Sequence, residues 1–425
     1  MMAIALSLLL VCFLLMGAPL FTVILAAAML GFYYADVDLS VIAIELYRIV
    51  DTPLLVALPL FTLAGYMLSE SRASLRLLNL TQALIGWLPN GFAVVAIISC
   101  ALFTAFTGAS GVTIVALGAL LLPSLIRAGY SERFSLGLMT SCGSLGLLLP
   151  PSLPLILYGI IGQQIIDDGS LTFESLFLAG ATATGAMIIM LSIWVVWVNR
   201  NAPTRKQAFS GHALWHAVKE AAWEIPLPIF ILAGIFGGLL TVSEVAAFTA
   251  LYVIIVQVFI YREISLKRFP YIVMDAISMV GGIMLILGVS LAFTSFLIEA
   301  DVPTQILDSI NELVDNKWTF LLLLNLLLLI LGAILDIFSA IVIITPLILP
   351  AALQFGIHPV HLGIIFLANM QIGYFTPPVG MNLFIASLRF KKSVLTLYRT
   401  TLPFFFLLLI ALGIITYTPL LLNLT

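Results

Sequence analysis

Leu122-Pro123, then Gly129, Gly146 and Pro150-Pro151: this series of helix-breaking residues is met a second time as Leu349-Pro350, Gly356, Gly373 and Pro377-Pro378. The displacement is constant, since 350 − 123, 356 − 129, 373 − 146 and 377 − 150 all equal 227. A register that holds without a gap across residues 122–151, with prolines and glycines as its fixed points, identifies a duplicated structural unit. Both copies are embedded in apolar sequence, where breaks in a helix need a structural or functional reason.

Composition sets the broad class. With 62% hydrophobic and 9% charged residues and a mean hydropathy of +1.22, the chain cannot clothe a water-soluble surface and reads as an integral membrane protein. The stretches Met1 to Tyr34, Pro53 to Leu68, Phe92 to Ile126, Leu176 to Val198, Tyr271 to Ile298 and Phe320 to Phe355 are of the order of the roughly 20 residues that a spanning helix requires, or longer. Strand-like alternation is absent, which excludes a barrel. The first stretch has neither a basic leader nor a small-residue cleavage site, so it is expected to stay in the membrane. The sequence leaves open whether it is one span or two elements broken at Gly17-Ala18-Pro19.

Net charge is −3 and the 17 basic residues are scattered, leaving no basic face that could follow a phosphate backbone, so nucleic acid is excluded as a partner. Cys12, Cys100 and Cys142 lie in apolar runs without paired spacing, which predicts small packing residues rather than disulfides or metal ligands. The two copies carry opposite charges at equivalent places. Arg72 and Arg76 precede the first, whereas Glu299, Asp301, Asp308, Glu312 and Asp315 precede the second. Asp167, Asp168 and Glu174 follow the first double proline, whereas Arg389, Lys391, Lys392 and Arg399 follow the second. By the positive-inside rule, equivalent loops lie on opposite sides of the membrane, and the repeat is inverted. Between the halves, Arg200, Arg205, Lys206 and Lys219, and then Arg262, Lys267 and Arg268, mark cytoplasmic segments. Gly211 to Glu224 mixes Trp215, Val218 and Trp223 with charges, which suits either an amphipathic connecting arm or an ordinary loop.

The polar residues of the repeat are the candidate site. Thr107-Gly108-Ala109-Ser110-Gly111 interrupts an apolar run too long for one crossing, which predicts a hairpin with hydroxyls at its tip. Leu335-Asp336-Ile337-Phe338-Ser339 takes the same place in the second copy. Asp336 is the only carboxylate after Trp318, and an intramembrane charge costing roughly 2.5–3.5 kcal/mol marks a functional site, unless it is a structural pair with a base or a helix-end cap. Downstream, Ser141-Cys142-Gly143-Ser144-Leu145-Gly146 leads to Pro150-Pro151, and Asn369-Met370-Gln371-Ile372-Gly373 leads to Thr376-Pro377-Pro378-Val379-Gly380. Consecutive prolines remove two donors and bend the preceding residue out of helical geometry, so the helix parts at each place. Freed carbonyls and side-chain oxygens there suit a small hard cation, and the next helix N-terminus suits an anion. Simple kinks at close-packing sites are the alternative.

His358 and His361 flank Pro359 in what reads as a solvated loop rather than a proton relay, and His212 and His216 lack a third metal ligand. No H-E-x-x-H motif occurs and no serine has a base partner at membrane depth, so an embedded hydrolase is disfavoured and the chain is not read as an enzyme.

Phe106-Thr-Gly-Ala-Ser-Gly through Leu122-Pro123 and Ala128-Gly129-Tyr130, Gly143-Ser-Leu-Gly-Leu-Leu-Leu-Pro-Pro-Ser152, Gly356-Ile-His-Pro-Val-His-Leu-Gly-Ile-Ile365 and Thr376-Pro-Pro-Val-Gly-Met-Asn-Leu383 together resemble the large membrane subunit of tripartite ATP-independent periplasmic (TRAP) transporters. The resemblance covers the whole chain. It implies an all-α, inverted-repeat elevator transporter of the bacterial inner membrane, with two re-entrant hairpins and two discontinuous helices. It further implies sodium as coupling ion with no other cofactor or metal, and a small organic anion such as a C4-dicarboxylate or sialic acid as cargo. The implied partners are a small four-helix membrane subunit and a periplasmic substrate-binding protein.

Carried over by position, sodium is expected at Thr107, Gly108, Ser110, Gly143, Ser144 and Gly146, and at Asp336, Ser339, Asn369, Gln371, Gly373 and Thr376. Substrate is expected between them at Ser110, Pro150, Pro151, Ser152, Pro377, Pro378, Gly380 and Asn382. The chain departs from the family pattern at Gln371, often acidic, and at Cys142, often a smaller residue. The implied division is scaffold (1–88), transport domain (89–170), scaffold with connecting arms (171–315), transport domain (316–392) and a terminal helix (393–425). A stand-alone sodium-coupled anion transporter of related fold is the other class compatible with these residues, and a passive channel the third. Sodium entry down a 100 mV potential supplies about 2.3 kcal/mol per charge before any gradient is counted.

Overall fold

Prolines, glycines and capping side chains, rather than changes in polarity, decide where the helices of this apolar chain begin and end. The computed structural model describes residues 10, 12–13, 16, 18–48, 52–88, 90–166, 169–201, 209–238, 240–301, 305, 314 and 316–421. Helix α1 (Leu20–Tyr34) starts directly after Pro19, so the first apolar stretch is broken near Ala18-Pro19. Next come α2 (Ser40–Arg48), a 3-10 turn (Pro53–Val56) that leads into α3 (Ala57–Glu70), and α4 (Ala73–Ile85). The first repeat comprises α5 (Gly91–Thr107), α6 (Ser110–Arg127), α7 (Glu132–Cys142), a 3-10 turn (Leu145–Leu147) and α8 (Leu153–Ile165). Between the repeats lie α9 (Phe173–Val198), α10 (Gly211–Glu220), α11 (Pro226–Phe236), α12 (Val242–Ile254, continued as a π-helical segment to Ile260) and α13 (Phe269–Glu299). The second repeat comprises α14 (Lys317–Ile334), α15 (Ile337–Gln354), α16 (Pro359–Gly373) and α17 (Met381–Phe390), and α18 (Val394–Leu421) follows.

Among the described residues every regular element is helical, and eight helices are long and apolar enough to cross a membrane. On α14, Leu322, Leu326 and Ile330 recur every four residues and are all exposed, while Leu321, Leu324 and Leu328 are buried. An apolar stripe turned outward beside one turned inward suits lipid on one side and protein on the other.

The offset of 227 extends to the helix ends. Hairpin boundaries Thr107, Ser110 and Arg127 match Ile334, Ile337 and Gln354, since 334 − 107, 337 − 110 and 354 − 127 all equal 227. Pro123 and Pro350 lie inside α6 and α15 rather than ending them. Gly129 and Gly356 both take positive φ, +100° and +69°, at the turns that follow, a geometry glycine adopts without penalty.

Helix α18 serves as a ruler for the direction of the two copies. Phe134 and Gly137 of α7 lie against Phe404 and Thr400, with the Phe134–Phe404 ring centroids 5.9 Å apart. On the second copy, His361 Nε2 lies 3.1 Å from the Ile415 carbonyl, and Trp318 stacks on Tyr417 at 5.5 Å. From 404 to 415 is 11 residues, about 16 Å of helix, so the copies enter from opposite ends of α18, as the charge pattern predicts. His361 is buried, which corrects the solvated-loop expectation: it belongs to the first turn of α16, and only His358 caps the helix, its Nδ1 accepting from Val360 N–H at 3.3 Å.

The second arm of each hairpin packs on the helix after the other copy's double proline, α6 on α17 and α15 on α8. The two units are thereby interlocked. The flanking helix α13 packs on α1, α2, α3 and α15, and Gly65 of α3 leaves room only for the Phe106 carbonyl and Thr107 Cα at the first hairpin tip. Gly211–Glu220 is a helix packed on α4, shorter than the stretch read as an arm. Cys100 and Cys142 are buried as expected, but Cys12 is exposed. Asp167, Asp168, Arg205, Lys206, Asp308, Glu312 and Asp315, on which the charge comparison partly rests, lie outside the described residues.

One buried ionic cluster escapes sequence reading. Arg76 of α4 donates from Nε to Glu224 at 2.8 Å and from Nη1 to Glu263 at 2.5 Å, while the Arg72 N–H binds the same Glu263 at 2.8 Å. Its guanidinium lies 4.0 Å from the centre of the Tyr261 ring, and the Tyr261 hydroxyl donates to Glu224 at 3.1 Å. Burial acts to lower the Arg76 pKa, but hydrogen bonds to Glu263 and Glu224 outweigh it and raise it. The cluster ties α4 to the segments on either side of α11 and α12, across 148 and 187 residues of sequence.

Two predictions concern this framework. Replacing Arg76 with alanine strands two carboxylates in a site with little solvent and should cost about 3–5 kcal/mol, seen as loss of monodisperse protein in detergent and a lowered melting temperature. A methyl group at Gly146 would overlap the Ala101 carbonyl, and one at Gly373 the Gly332 backbone. Gly146→Ala and Gly373→Ala should therefore each destabilise by about 1–3 kcal/mol, whereas Gly185→Ala on α9, where nothing lies within 4 Å, should not lower the melting temperature.

Candidate functional site

Each hairpin tip lies on the broken helix of its own copy, as the sequence predicts. In the first copy Gly108 makes the turn with φ +65°, and a Cβ there would meet Leu153 at the start of α8. Thr104, three residues before Thr107, donates to the Gly143 carbonyl at 2.9 Å and lies 2.6 Å from the Thr113 hydroxyl. These two threonines, buried where arm meets loop, were not foreseen, because the contact that gives them meaning spans 39 residues. The Thr107 hydroxyl instead donates back to the Phe103 carbonyl at 3.0 Å. Gly146 sits under α5, pressed against Ala101 and Ala105.

In the second copy Asp336 is the N-cap of α15. Its Oδ1 accepts from the N–H groups of Phe338 and Ser339, both at 3.0 Å, and Oδ2 accepts a short bond from the Ser339 hydroxyl. The helix-end cap, one of the structural alternatives for this carboxylate, is thus realised, and the charge also sits favourably at the positive end of the helix. The preceding tip is joined to the broken helix by Tyr374, whose hydroxyl accepts from Ile337 N–H at 2.7 Å, and by the Gly380 N–H, which donates to the Ala333 carbonyl at 3.0 Å. Tyr374 is fully buried and also escaped the sequence reading.

The breaks themselves differ from expectation. The first helix ends at Cys142, but α16 continues through Gly373 and unwinds only from Tyr374 to Gly380. Asn369 and Gln371 are therefore helical, and their side chains leave the tip. Asn369 Nδ2 donates to Asn325 at 2.6 Å, beside Thr416 of α18, and Gln371 Nε2 points to Met187 Sδ of α9 at 3.3 Å. These bonds use the amide nitrogens, and Asn369 Oδ1 and Gln371 Oε1 are buried without a hydrogen-bond partner among the described residues. What Gln371 does contribute is its backbone carbonyl, which accepts from the Ser144 hydroxyl at 3.1 Å. Ser144 and Gln371 are 227 residues apart, so equivalent positions of the two copies touch and the pseudo-twofold axis passes between them.

The predicted substrate positions are brought together in part. Ser110 at the first tip donates to Asn382 Oδ1 at 2.7 Å, which joins the first hairpin to the helix after the second double proline. Asn382 is fully buried, and its Nδ2 has no hydrogen-bond partner among the described residues. Ser152 donates a short bond to the Leu147 carbonyl and so is engaged within its own loop. Pro150 and Pro151 are buried, but Pro377 and Pro378 are exposed, with the Pro378 carbonyl accepting from Tyr398 at 2.7 Å. Thr376 is half-buried and donates to the Ile372 carbonyl at 2.6 Å. Together these groups form two oxygen-rich junctions of the kind that suits a hard monovalent cation. A buried amide donor lies between the first hairpin and α17.

Residues 7–421 match the family model of the tripartite ATP-independent periplasmic transporter, DctM component. The chain is 29% identical to the C4-dicarboxylate TRAP transporter large permease protein DctM of Rhodobacter capsulatus, over 97% of this chain and 96% of that protein. It is 32% identical to the same-named protein of Pseudomonas aeruginosa, over 89% and 87%. It is also 33% identical, over 96% of its length, to the isethionate TRAP transporter permease protein DctMQ of Oleidesulfovibrio alaskensis, spanning 64% of that relative. A solved structure of the Alcanivorax borkumensis YdaH transporter shares the fold with a TM-score of 0.61 at 14% identity, over 88% of this chain and 86% of that one. The family match along nearly the whole sequence agrees with the duplicated, all-helical architecture, and this chain belongs to the DctM component family of tripartite ATP-independent periplasmic transporters, multi-pass membrane permeases and not enzymes.

Proposed function

We propose that the chain is the large permease subunit of a sodium-coupled, binding-protein-dependent secondary transporter that imports a small organic anion across the bacterial inner membrane. The observation that carries this proposal is the junction at Ser144 and Gln371, where two oppositely directed copies, each a hairpin tip on a broken helix, meet at equivalent positions. A site shared between such units is the arrangement expected of an alternating-access carrier. The names of relatives bear on the cargo: C4-dicarboxylate, isethionate and 2,3-diketo-L-gulonate permeases all fall within reach of this sequence.

In this proposal Na+ is carried as co-substrate by the two tip junctions. The first would use oxygens of Thr104, Thr113, Ser110 and the Gly143–Gly146 loop, and the second Asp336, Ser339 and the carbonyls exposed where α16 unwinds. The cargo anion would lie between them, with the free Nδ2 of Asn382 and the N-terminus of α17 offering N–H groups to a carboxylate or sulfonate. Both hairpins and both broken helices, residues 89–170 and 316–392, would move as one elevator body re-entering the membrane from both sides. The remaining helices would form the scaffold, joined to a small membrane subunit and served by a periplasmic binding protein. Coupling follows if Na+ orders the tips, so that only the loaded body moves readily.

Uptake into proteoliposomes holding the permease and its small subunit tests this proposal against a panel of C4-dicarboxylates, sugar acids and sulfonates, with and without Na+ and binding protein. Accumulation that requires both additions is the expected result; accumulation without the binding protein would instead place the chain with stand-alone carriers. Asp336→Asn keeps an N-cap of equal quality and removes the charge. It should raise the Na+ concentration for half-maximal uptake about tenfold, near 1.4 kcal/mol, at an unchanged melting temperature. An unaltered sodium midpoint would confine Asp336 to capping.

A further inference from the structure

A cleft of about 690 Å3 lies between α4 and the end of the first hairpin away from its tip. One wall is apolar, with Leu78, Phe92 and Leu120, and the other carries Asn79, Gln82 and Arg127. Arg127 is exposed and hydrogen-bonds within its own helix, Nε at 3.3 Å from the Pro123 carbonyl and Nη2 at 3.4 Å from the Ser124 hydroxyl. Among the described residues no carboxylate pairs with it; Glu132, close by in sequence, is held by Lys392 at 2.6 Å. Pro123 in the same wall has no N–H, so the carbonyl of Ala119, another lining residue, is left without its helical donor.

A cation at a helix C-terminus is favoured by the helix dipole alone, and that would account for Arg127 but not for its surroundings. Nor does the repeat require the charge, because the equivalent position, 127 + 227 = 354, is Gln354. What the cleft offers is a planar donor fork for a phosphodiester, the Asn79 amide and the Ala119 carbonyl for hydroxyl groups, and an apolar wall of Leu78, Phe92 and Leu120 for a hydrocarbon chain. By the positive-inside rule this end, with Arg72, Arg127, Arg133 and Lys392, is cytoplasmic, and basic pockets between helices on that side are suited to anionic headgroups.

We propose that the cleft binds an anionic glycerophospholipid, phosphatidylglycerol in type, with its phosphate on Arg127, its headgroup hydroxyls toward Asn79 and the Ala119 carbonyl, and an acyl chain along Leu78, Phe92 and Leu120. The lipid bridges α4 and the first hairpin and so holds these two parts together. This proposal rests on the membrane location of the chain and not on its cargo.

The test uses the full chain purified in maltoside detergent, with native mass spectrometry and thermal unfolding after addition of phosphatidylglycerol or phosphatidylcholine of equal chain length. Phosphatidylglycerol should be retained about tenfold better and should raise the melting temperature more. Arg127→Gln should abolish the preference, Arg127→Lys should keep part of it, and Arg133→Gln, an exposed neighbouring cation, should keep all of it. Leu120→Trp, which fills the slot and leaves the guanidinium, should lose the lipid and keeps the test decisive if Arg127→Gln does not fold. Unchanged retention by Arg127→Gln or Leu120→Trp overturns the proposal, as does equal loss in Arg133→Gln. Protection by inorganic phosphate or glycerol 3-phosphate equal to that by the lipid would replace it with a free-anion site.

Discussion

A helix that breaks inside a bilayer survives only if protein, not lipid, surrounds the backbone groups it releases. Everything around the double prolines serves that constraint. Gly146 and Gly373 have no side chain because each brings an unwinding segment into direct backbone contact with a hairpin arm, α5 in one copy and α14 in the other. The released groups then find partners: the Gly143 carbonyl on Thr104, the Gln371 carbonyl on Ser144, the Gly380 N–H on Ala333. Each second arm crosses to the other copy, α6 on α17 and α15 on α8, so neither broken helix is covered by its own unit alone. Duplication supplies that cover, because each copy lends its second hairpin arm to the helix that follows the other's break.

The frame of this fold was legible because backbone geometry forces residue types. Only glycine is indifferent to the positive φ at 129 and 356, only proline withdraws a donor, and the repetition of both at one offset reveals the duplication without any structure. Apolar length predicted the hairpins, since Phe92 to Ile126 and Phe320 to Phe355 each exceed one crossing and each folds into two helices. Boundaries were harder. The sequence Asn369 to Gly373 holds no breaker before its final glycine and stays helical, although its first-copy counterpart has begun to unwind. Pro19 shows the reverse, where a single proline suffices to start α1.

The meeting of each hairpin tip with its broken helix was legible in the repeated positions, and the side chains that reach across the chain were not. Thr104, Thr113, Tyr374 and Arg76 look like ordinary members of their segments. Thr113 meets Thr104 across the hairpin tip, nine residues away, and the partners of the other three lie 37 to 187 residues away, which no local pattern encodes. Gln371 shows how little a sequence says about the direction of a side chain. Its polarity marks it as a ligand in sequence, but helical geometry turns its amide toward Met187 and presents only its carbonyl to the axis. A single residue of phase on a helix rotates a side chain by about 100°, so without the true end of α16 its direction was undetermined.

The two copies share a backbone plan but not an electrostatic one. Asp336 and Ala109 are equivalent, 336 − 109 = 227, and both precede the second arm as its N-cap. One slot carries a carboxylate bound to two N–H groups, and the other has no side-chain cap. The loops beyond diverge as well, Pro150-Pro151 buried and Pro377-Pro378 exposed. In the proposed scheme a cation at the first tip would therefore be held by neutral oxygens, whereas at the second it would meet a formal charge already partly spent on the helix terminus. Two such junctions differ in intrinsic affinity, since a carboxylate ligand contributes attraction that neutral oxygens lack. Under the proposed sodium coupling, a pseudosymmetric frame with unequal ends would give the two ions different affinities, and the Ser144 to Gln371 contact is where the two copies meet directly.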